Sequence, residues 1–336
     1  MGQRPYHSIR RQPAIAAGVG GDRTDRAARV KVLQKGQAIQ KRKSILNNDA
    51  TEQAAIHHGI LSCSTRRNEK LPDSRPATIV AATLRSMVLK TDQAFSIYPF
   101  LPAPPGLPLT VLPEHPCAYL PGRAARSRAF YANRIPNDLY RQLMDAGFRR
   151  SGRVVYQPIC SGCRRCVPIR VPVDQFKPSD SQKRQRRRNA DLLVTTHPPS
   201  VSDEKLLLYQ KYQTQWHGSA ESESMQRLTE FLYGSPVDSI EFEYRTPAGQ
   251  LIGVGICDAC PPVLSSVYFY FDPDFAKRSL GVFSTVYEID WARSNGFVFY
   301  YAGFWVHGCK SMEYKEDYRP NELLHADARW RSHRTD

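Results

Sequence analysis

The sequence predicts an α+β fold, a mixed sheet with helices packed against it. Residues 239–245 and 251–256 alternate between apolar and polar side chains across a proline-glycine turn, which predicts a hairpin. Residues 264–271 form a further strand rich in aromatic and aliphatic side chains. Residues 281–294 have the apolar spacing of a helix, and residues 297–305 follow as a buried strand. This order indicates a mixed sheet with one helix crossing a face.

The long helix should bury one side. Val282, Val286, Ile289 and Ala292 recur at helical spacing, and Gly296 stands where the helix should end. We therefore expect these four apolar side chains to face the sheet. Weaker patterns predict the other elements, which are helices over 136–147, 179–192, 203–216 and 224–233 and strands over 154–156, 168–173 and 193–196.

Length and composition limit the class of protein. A chain of 336 residues is long enough for about two domains, and its hydrophobic content of 41% supports a real core. Eight cysteines are too few for a disulfide-dense secreted scaffold, and three of them lie between Cys160 and Cys166. No apolar run approaches the ~18 residues of a membrane span, and no secretory signal is apparent. We expect a cytoplasmic protein that makes no use of a membrane.

Three regions are expected along the chain. Residues 1–86 contain no Trp or Phe and no sustained hydrophobic period, so they are predicted to be a disordered extension. Met87 follows, and the alternative is that translation begins there and the start has been misassigned. Residues 87–192 are expected to form an N-terminal domain that carries the cysteines and a basic segment. Residues 193–336 are expected to form the mixed-sheet C-terminal domain.

The positive charge is unevenly distributed. Residues 120–190 hold 17 Lys or Arg and 4 Asp or Glu, whereas residues 191–336 hold 13 and 20. A basic middle and an acidic final part indicate one face that binds a polyanion, with nucleic acid as the expected partner. The alternative is that the arginines only form solvated helix faces.

The cysteines have the spacing of a metal site. Cys160, Cys163 and Cys166 are separated by two residues each, which lets several thiolates converge on one ion. Cys117, in a proline-bounded loop, is the candidate fourth ligand, and zinc or an iron–sulfur cluster are the candidate cofactors. The alternative is three reduced thiols in a loop. A second pair, Cys257 and Cys260, also has the Cys-x2-Cys spacing of a metal site. Small cysteines are often buried at the end of a strand, and this is the simpler explanation of the second pair.

A basic run follows the cysteines. On a helix, the cations of residues 183–188 fall on adjoining stripes and form a broad guanidinium face that suits phosphate groups. An import signal or a heparin-like patch has a similar composition.

The region from residue 275 to residue 293 has a strand, a basic turn with a glycine, and then a helix. Acetyltransferase-type folds use this order to present a helix N-terminus to a pyrophosphate. Gly281 stands alone where such folds usually carry more glycines. The pattern therefore favours an acetyltransferase-like C-terminal domain with a different acyl donor.

Several motifs resemble those of one family. The segments P-E-H-P-C-A-Y-L-P-G-R, C-S-G-C-R-R-C-V-P-I-R-V-P, S-Q-K-R-Q-R-R-R-N-A-D-L, S-S-V-Y-F-Y-F-D-P-D, S-L-G-V-F-S and G-C-K-S-M-E-Y-K occur in this order between about residue 108 and about residue 330. Together they resemble the bacterial branch of the arginyl-tRNA–protein transferase family. No counterpart to residues 1–86 is found in that resemblance.

The resemblance implies an aminoacyltransferase. It would move leucine from leucyl-tRNA onto the α-amine of a protein that begins with Asp or Glu, which marks that protein for N-degron degradation. It further implies an acetyltransferase-like C-terminal domain and a cysteine-bearing N-terminal domain. In eukaryotic relatives the cysteine region is associated with iron–sulfur or metal binding, and the third cysteine of the triplet and the single Cys117 depart from that arrangement.

Candidate site residues follow from that reaction. The ester of a charged tRNA is already activated, so the chemistry requires no cofactor, but it needs a proton acceptor and an oxyanion donor. Asp272 or Glu288 is the candidate acceptor, and Lys310 or Tyr314 is the candidate donor or acid. The candidate residues for binding the tRNA or the acidic acceptor are Arg164, Arg165, Lys183, Arg184, Arg186, Arg187 and Arg188.

Two other functions fit the same residues. One is a metal-clasped RNA-binding module without catalysis, and the other is an N-acetyltransferase that uses acetyl-CoA. The residues by themselves do not choose leucine over another aminoacyl group.

Overall fold

The computed structural model describes residues 101–219 and 223–333. The expectations for residues 1–86 and for a start at Met87 lie outside these residues. The strands are β1 Thr110–Val111, β2 His115–Pro116, β3 Ala124–Ala125, β4 Ser127–Tyr131, β5 Arg149–Ser151, β6 Val154–Pro158, β7 Val167–Pro172, β8 Leu193–His197, β9 Ser239–Arg245, β10 Leu251–Cys260, β11 Val263–Phe271, β12 Phe299–Trp305, β13 Glu322–Leu324 and β14 Trp330–Ser332. The helices are α1 Asn137–Asp145, α2 Asp180–Arg188, α3 Asp203–His217, α4 Met225–Leu228, α5 Leu280–Ser294 and α6 Lys310–Glu313.

The main sheet has eight strands in the order β14-β13-β7-β12-β11-β10-β9-β8. All neighbours in it are antiparallel except β11 and β12, which are parallel and are joined through α5. A parallel pair needs such a crossover, since a tight turn can only reverse the chain. The predicted α+β fold with a mixed sheet and a crossing helix is therefore confirmed.

A smaller antiparallel sheet has the order β1-β4-β6-β5, and β2 pairs with β3 beside it. The core of the small sheet is built from residues such as Tyr140, Phe148 and Val155, and it includes Val263 and Tyr301 of the main sheet. The strand β7 lies between β12 and β13 of the main sheet. The cysteine-bearing part of the chain therefore shares a core and a sheet with the residues that follow it.

Local sequence signals set the helix ends as predicted. Pro136 precedes α1, and Gly147 adopts a φ of +83° just beyond it. Ser179 caps α2 in a capping box with Gln182, whose side chain bonds back to the Ser179 N–H.

The buried side of α5 is broader than predicted. Val286, Ile289 and Ala292 are buried, whereas Val282 on the same side is only partly buried. Phe283 is buried instead, and polar residues are buried on the same helix. The reason is that α5 packs against the sheet and also against α2, so little of its circumference faces water. Within the described residues, no helix is long and apolar enough to span a bilayer.

Candidate active site

The parallel strands β11 and β12 separate after a short paired stretch. Their register pairs Val263 with Phe299 and Leu264 with Tyr300, and it ends where Ser265 faces residue 301. Beyond that point no described strand pairs with the β12-facing edge of β11. Main-chain N–H and C=O groups on this edge are therefore available to a bound molecule.

Gly303 bends β12 where the strands part. It has a φ of +84°, and the register of β12 against β7 breaks between Tyr301 and Phe304. A residue with a side chain is strained at this φ, which explains glycine at the bend.

The gap between β11 and β12 forms part of a cavity of about 440 Å³, here called the divergence cavity. Aromatic side chains form one wall, including Tyr212, Trp216, Phe231 and Tyr268. Polar and charged side chains also line it, among them Arg149, Arg150, Ser265, Ser266, Glu288 and Lys315. An apolar wall with a few convergent polar groups is typical of a small-molecule or side-chain site.

Glu288 is the carboxylate in the lining of this cavity. It is 2% exposed, and its Oε2 accepts a hydrogen bond of 2.6 Å from the Tyr300 hydroxyl. The Cys257 thiol donates to the same oxygen over 3.4 Å. Oε1 accepts no hydrogen bond from the described residues, and it lies against Gly255, where an added Cβ would come within 2.7 Å of it. Glycine at position 255 therefore makes room for this carboxylate.

Burial sets the protonation of Glu288. Desolvation raises its pKa to about 7, and the hydrogen bonds from Tyr300 and Cys257 only partly oppose that rise. A carboxyl group that gains and loses a proton near neutral pH suits a proton acceptor. The structure thus gives this predicted residue both a place in the cavity and a suitable pKa.

The other three predicted catalytic residues have different positions. Tyr314 lines the divergence cavity and is 40% exposed. Asp272 does not line it; its side chain accepts from the Asp274 N–H and pairs with Lys211 at 2.6 Å. Lys310 is exposed at the start of α6 and does not line it either. The structure brings Glu288 and Tyr314 to one cavity but not the other two.

Two arginines in the cavity lining were not among the predicted residues. Arg149 and Arg150 are adjacent in β5, and each is 6% exposed. Arg150 forms a bidentate pair with Asp258, which also accepts from the hydroxyls of Tyr140 and Ser239. In the sequence F-R-R-S-G they look like ordinary surface charges. Only the packing of β5 under the main sheet shows that both are buried.

The predicted basic residues of the second segment lie on α2 and are all exposed. Arg186 pairs with Asp290 at 3.2 Å, and Arg188 donates to the Lys277 carbonyl at 2.7 Å. Lys183 pairs with Asp180 within the helix. For Arg184 and Arg187 we find no hydrogen bond or ion pair within residues 101–219 and 223–333.

The contact between Arg188 and Lys277 places α2 beside the active-site strands. Lys277 lies in the 3-10 turn Pro273–Arg278, which directly follows β11. Asn189 donates to the Arg278 carbonyl in the same turn. The guanidinium face of α2 is thus attached to the end of a strand that lines the divergence cavity.

The first basic pair lies in the cysteine loop. Arg164 and Arg165 are exposed, and Arg165 donates to the His307 carbonyl at 3.1 Å. They line a small cavity of about 90 Å³ together with Cys160, Cys163 and Cys166.

The four predicted ligand thiols are close enough to influence one another. Burial raises the pKa of Cys166 well above its usual range, and the charges of Cys160, Cys117 and Cys163 add to the rise. In a tetrahedral zinc site with bonds of about 2.3 Å, the sulfurs lie about 3.8 Å apart. No three of these described sulfurs lie within 4.8 Å of one another, so the thiols converge without forming a closed tetrahedral site.

The predicted second pair of thiols occupies two separate places in the core. Cys257 packs in the large cluster and donates to Glu288, whereas Cys260 packs in the cluster of the small sheet.

One group with metal-ligand geometry does occur in the described part of the chain. Donor atoms of His197, Glu241 and Glu243 lie within 4.8 Å of one another. The buried Lys205 ammonium contacts both carboxylates, at 3.0 Å for Glu243. The lysine already supplies the positive charge, so this cluster is an ion-pair network on β9.

The fold and the cavity together define a class of protein, an α+β fold whose candidate site lies where two parallel strands part. Family models for the arginine-tRNA-protein transferase match here, the N-terminal model over residues 115–184 and the C-terminal model over residues 204–325. The chain belongs to the arginine-tRNA-protein transferase family, and the family resemblance predicted from the sequence motifs is confirmed.

The match extends over most of the length of several curated relatives. The aspartate/glutamate leucyltransferase of Chromobacterium violaceum is 39% identical over 221 residues, which is 65% of this chain and 90% of the relative. That of Hahella chejuensis is 35% identical, over 64% of this chain and 93% of the relative. That of one Pseudomonas fluorescens strain is 40% identical, over 64% of this chain and 92% of the relative.

Solved structures overlap only in part. The L-PGS structure from Bacillus licheniformis covers 52% of this chain and 52% of its own, at 13% identity and a TM-score of 0.35. The fold assignment therefore depends on the strand order given above.

Proposed function

We propose that the protein transfers leucine from leucyl-tRNA to the N-terminal amine of proteins that begin with Asp or Glu. The relatives that this chain matches over most of their length are named aspartate/glutamate leucyltransferases. The observation that carries the proposal in this chain is Glu288, a buried carboxylate with a pKa of about 7 in the wall of the divergence cavity.

The proposed step is an acyl transfer without a covalent enzyme intermediate. The α-amine of the acceptor attacks the ester carbonyl of leucyl-tRNA, and a C–N bond forms as the bond to the ribose oxygen breaks. Glu288 Oε1 takes the proton that the amine loses, while Tyr300 and Cys257 hold Oε2. The ribose oxygen needs a proton as it leaves, and Tyr314, which lines the same cavity, is placed to supply it.

Leucine itself fits the aromatic wall. A cavity of about 440 Å³ that includes Tyr212, Trp216, Phe231 and Leu232 offers an apolar surface to a branched aliphatic side chain. Main-chain groups on the free edge of β11 supply donors for the tetrahedral oxyanion.

The tRNA is expected on α2. Its exposed cations, with Arg184 and Arg187 unengaged in the described residues, suit the phosphate backbone, and α2 contacts the turn that follows β11. This geometry supports delivery of the aminoacyl end into the divergence cavity.

The compartment, the fate of the product and the role of the cysteine cluster complete the proposal. We place the reaction in the cytoplasm, where charged tRNA is found, and we propose that the product is a marked N-degron substrate. Zinc or an iron–sulfur cluster at Cys117, Cys160, Cys163 and Cys166 would have a structural role, since no step above uses it. Metal analysis of anaerobically purified protein tests whether these thiols hold an ion.

One assay separates this function from the alternatives. A reporter that begins with Glu is incubated with the protein and either leucyl-tRNA or acetyl-CoA, and the mass added to the reporter is measured. We expect the mass of one leucyl residue with leucyl-tRNA and no change with acetyl-CoA. An acetyl increment would support an N-acetyltransferase, and tRNA binding without any added mass would support a non-catalytic RNA-binding module.

A further inference from the structure

Arg149 and Arg150 are adjacent in β5 but differ in their counter-ions. Arg150 Nη2 lies 2.6 Å from Asp258 Oδ1, and both side chains are almost fully buried. Arg149 is 6% exposed, yet no carboxylate of the described residues lies within ion-pair distance of it. Main-chain carbonyls and the rings of Tyr301 and Phe304 surround the guanidinium instead. They supply no negative charge, so the buried cation of Arg149 lacks a counter-ion.

The hydrogen bonds of Arg149 do not use every N–H of its buried guanidinium. Nη1 donates to the carbonyls of Phe148 at 2.6 Å and Met144 at 3.4 Å, and Nη2 donates to the Gly303 carbonyl at 3.1 Å. Nε has no partner among the described residues. Nε and Nη2 share an edge, and apart from the bond to Gly303 they keep the Nε–H and one Nη2–H without a partner among the described residues. Two parallel N–H groups on one edge match the two oxygens of a carboxylate.

A second cation lies at the same bend of β12. A Cβ added to Gly303 would lie 3.4 Å from Lys315 Nζ, and Lys315 donates to the Phe304 carbonyl at 3.1 Å. Arg149, Gly303 and Lys315 all line the divergence cavity. Among the described residues that line it, the only carboxylate is Glu288, so this end of the cavity is electropositive.

The acid–base behaviour of the two arginines follows from these contacts. Burial lowers the pKa of Arg149. Burial acts on Arg150 in the same direction, but the charge of Asp258 and its hydrogen bonds outweigh it and raise the pKa of that residue. An anion that reached Arg149 would have the same effect on Arg149 that Asp258 has on Arg150.

We propose that the Nε/Nη2 edge of Arg149, with Lys315 beside it, binds the side-chain carboxylate of the acceptor's first residue and determines the preference for Asp or Glu. This inference rests on the proposed function. Arg149 is buried at the wall of the divergence cavity, whereas a tRNA backbone is bound on an exposed surface such as α2. One acceptor residue would thus present its carboxylate to Arg149 and its amine to Glu288, which lines the same cavity.

The test compares reporters that begin with Glu and with Gln, which differ in charge but hardly in size. Arg149→Lys keeps the positive charge but removes the pair of parallel N–H donors of the guanidinium. We expect the ratio of kcat/KM for the Glu reporter to that for the Gln reporter to fall by about tenfold to hundredfold. The change should come from a higher KM for the Glu reporter. KM for leucyl-tRNA should not change. Arg153→Lys, on the exposed turn after β5, is the matched control and should keep the wild-type ratio.

Lys315→Gln gives an independent variant if Arg149→Lys fails to fold. We expect it to lower the same ratio, by less than the arginine variant, because it removes one of two cations. The inference is overturned if every folded variant of these two positions keeps the wild-type Glu-to-Gln ratio.

A binding measurement separates this inference from the proposed function. Calorimetry with the dipeptide Glu-Ala, without tRNA, should show binding to the wild type that Gln-Ala lacks and that Arg149→Lys weakens. Failure of leucyl transfer with intact Glu-Ala binding would refute the proposed function alone. Leucyl transfer with unaltered discrimination in the variants would refute the role of Arg149 alone.

Discussion

The Tyr300 hydroxyl donates a hydrogen bond of 2.6 Å to Glu288 Oε2, and this bond joins β12 to α5 inside the core. Both residues are buried, at 1% and 2% exposure, and both line the divergence cavity. The bond fixes one carboxylate oxygen and leaves Oε1 without a described partner.

Tyr300→Phe should change the pH dependence of transfer. The Tyr300 hydrogen bond lowers the pKa of Glu288, so its loss should raise that pKa further above about 7. The carboxylate accepts a proton only when ionised, and the midpoint of the rate against pH should therefore move to higher pH. Tyr301→Phe, which removes a hydroxyl bonded to Asp145, is the control and should leave the midpoint unchanged.

Glu288→Gln should change how stability depends on pH. The folded pKa of about 7 lies above the unfolded value, so folding favours the protonated form. This contribution to the free energy of unfolding is complete below the unfolded pKa and is lost as the pH rises through about 7. Urea unfolding at several pH values should show Glu288→Gln gaining stability relative to the wild type over that range. A constant difference would mean that the pKa of Glu288 is not raised.

Gly255→Ala should displace the Glu288 carboxylate. The new Cβ would lie 2.7 Å from Oε1 and 3.5 Å from Phe269, both in a packed interior. We expect a loss of about 1–3 kcal/mol in the free energy of unfolding, together with slower transfer. Gly281→Ala is the control for stability, because its Cβ meets nothing within 4 Å. That change should be neutral or stabilising by up to about 1 kcal/mol.

The double variant Arg184→Ala and Arg187→Ala should bind tRNA more weakly. These two exposed arginines make no ion pair within the described residues, so their loss removes phosphate contacts without breaking an internal bond. Affinity measured against salt concentration should fall and show a shallower slope, by about one to two. Arg134→Ala with Arg329→Ala removes equal charge from two exposed positions outside α2, with the loss of one exposed ion pair to Asp238, and should have little effect on tRNA affinity. Equal losses in both double variants would assign the effect to net charge.

Much of the fold was accessible from the sequence because its signals are local. The helix predicted from Ser179 begins at that residue, which caps it, and Gly147 follows the end of α1 as predicted. The hairpin of β9 and β10 follows from alternation and turn residues. The broad burial of α5 was not accessible, since it depends on α2 packing against it from a distant part of the chain.

The site was accessible only in part. Glu288 was predicted as one of two candidate proton acceptors, but the sequence could not separate it from Asp272, which the structure places in a cap and an ion pair with Lys211. Arg149 was missed, because an arginine pair in a strand looks exposed until the strand is covered. The sequence carried one signal. Arg149 and Arg150 are adjacent in a short strand, so their side chains point to opposite faces of the sheet, and at least one of them must be buried if either face is covered.

The central claim is that Glu288, in the gap between β11 and β12, accepts the proton during leucyl transfer. The most direct test is the single-turnover rate of transfer from leucyl-tRNA to a reporter that begins with Glu, measured for the wild type, Glu288→Gln and Asp272→Asn after each is shown to be folded. We predict a rate about 10²- to 10⁴-fold lower for Glu288→Gln, with tRNA affinity unchanged, and a rate near that of the wild type for Asp272→Asn. A wild-type rate in Glu288→Gln would contradict the account.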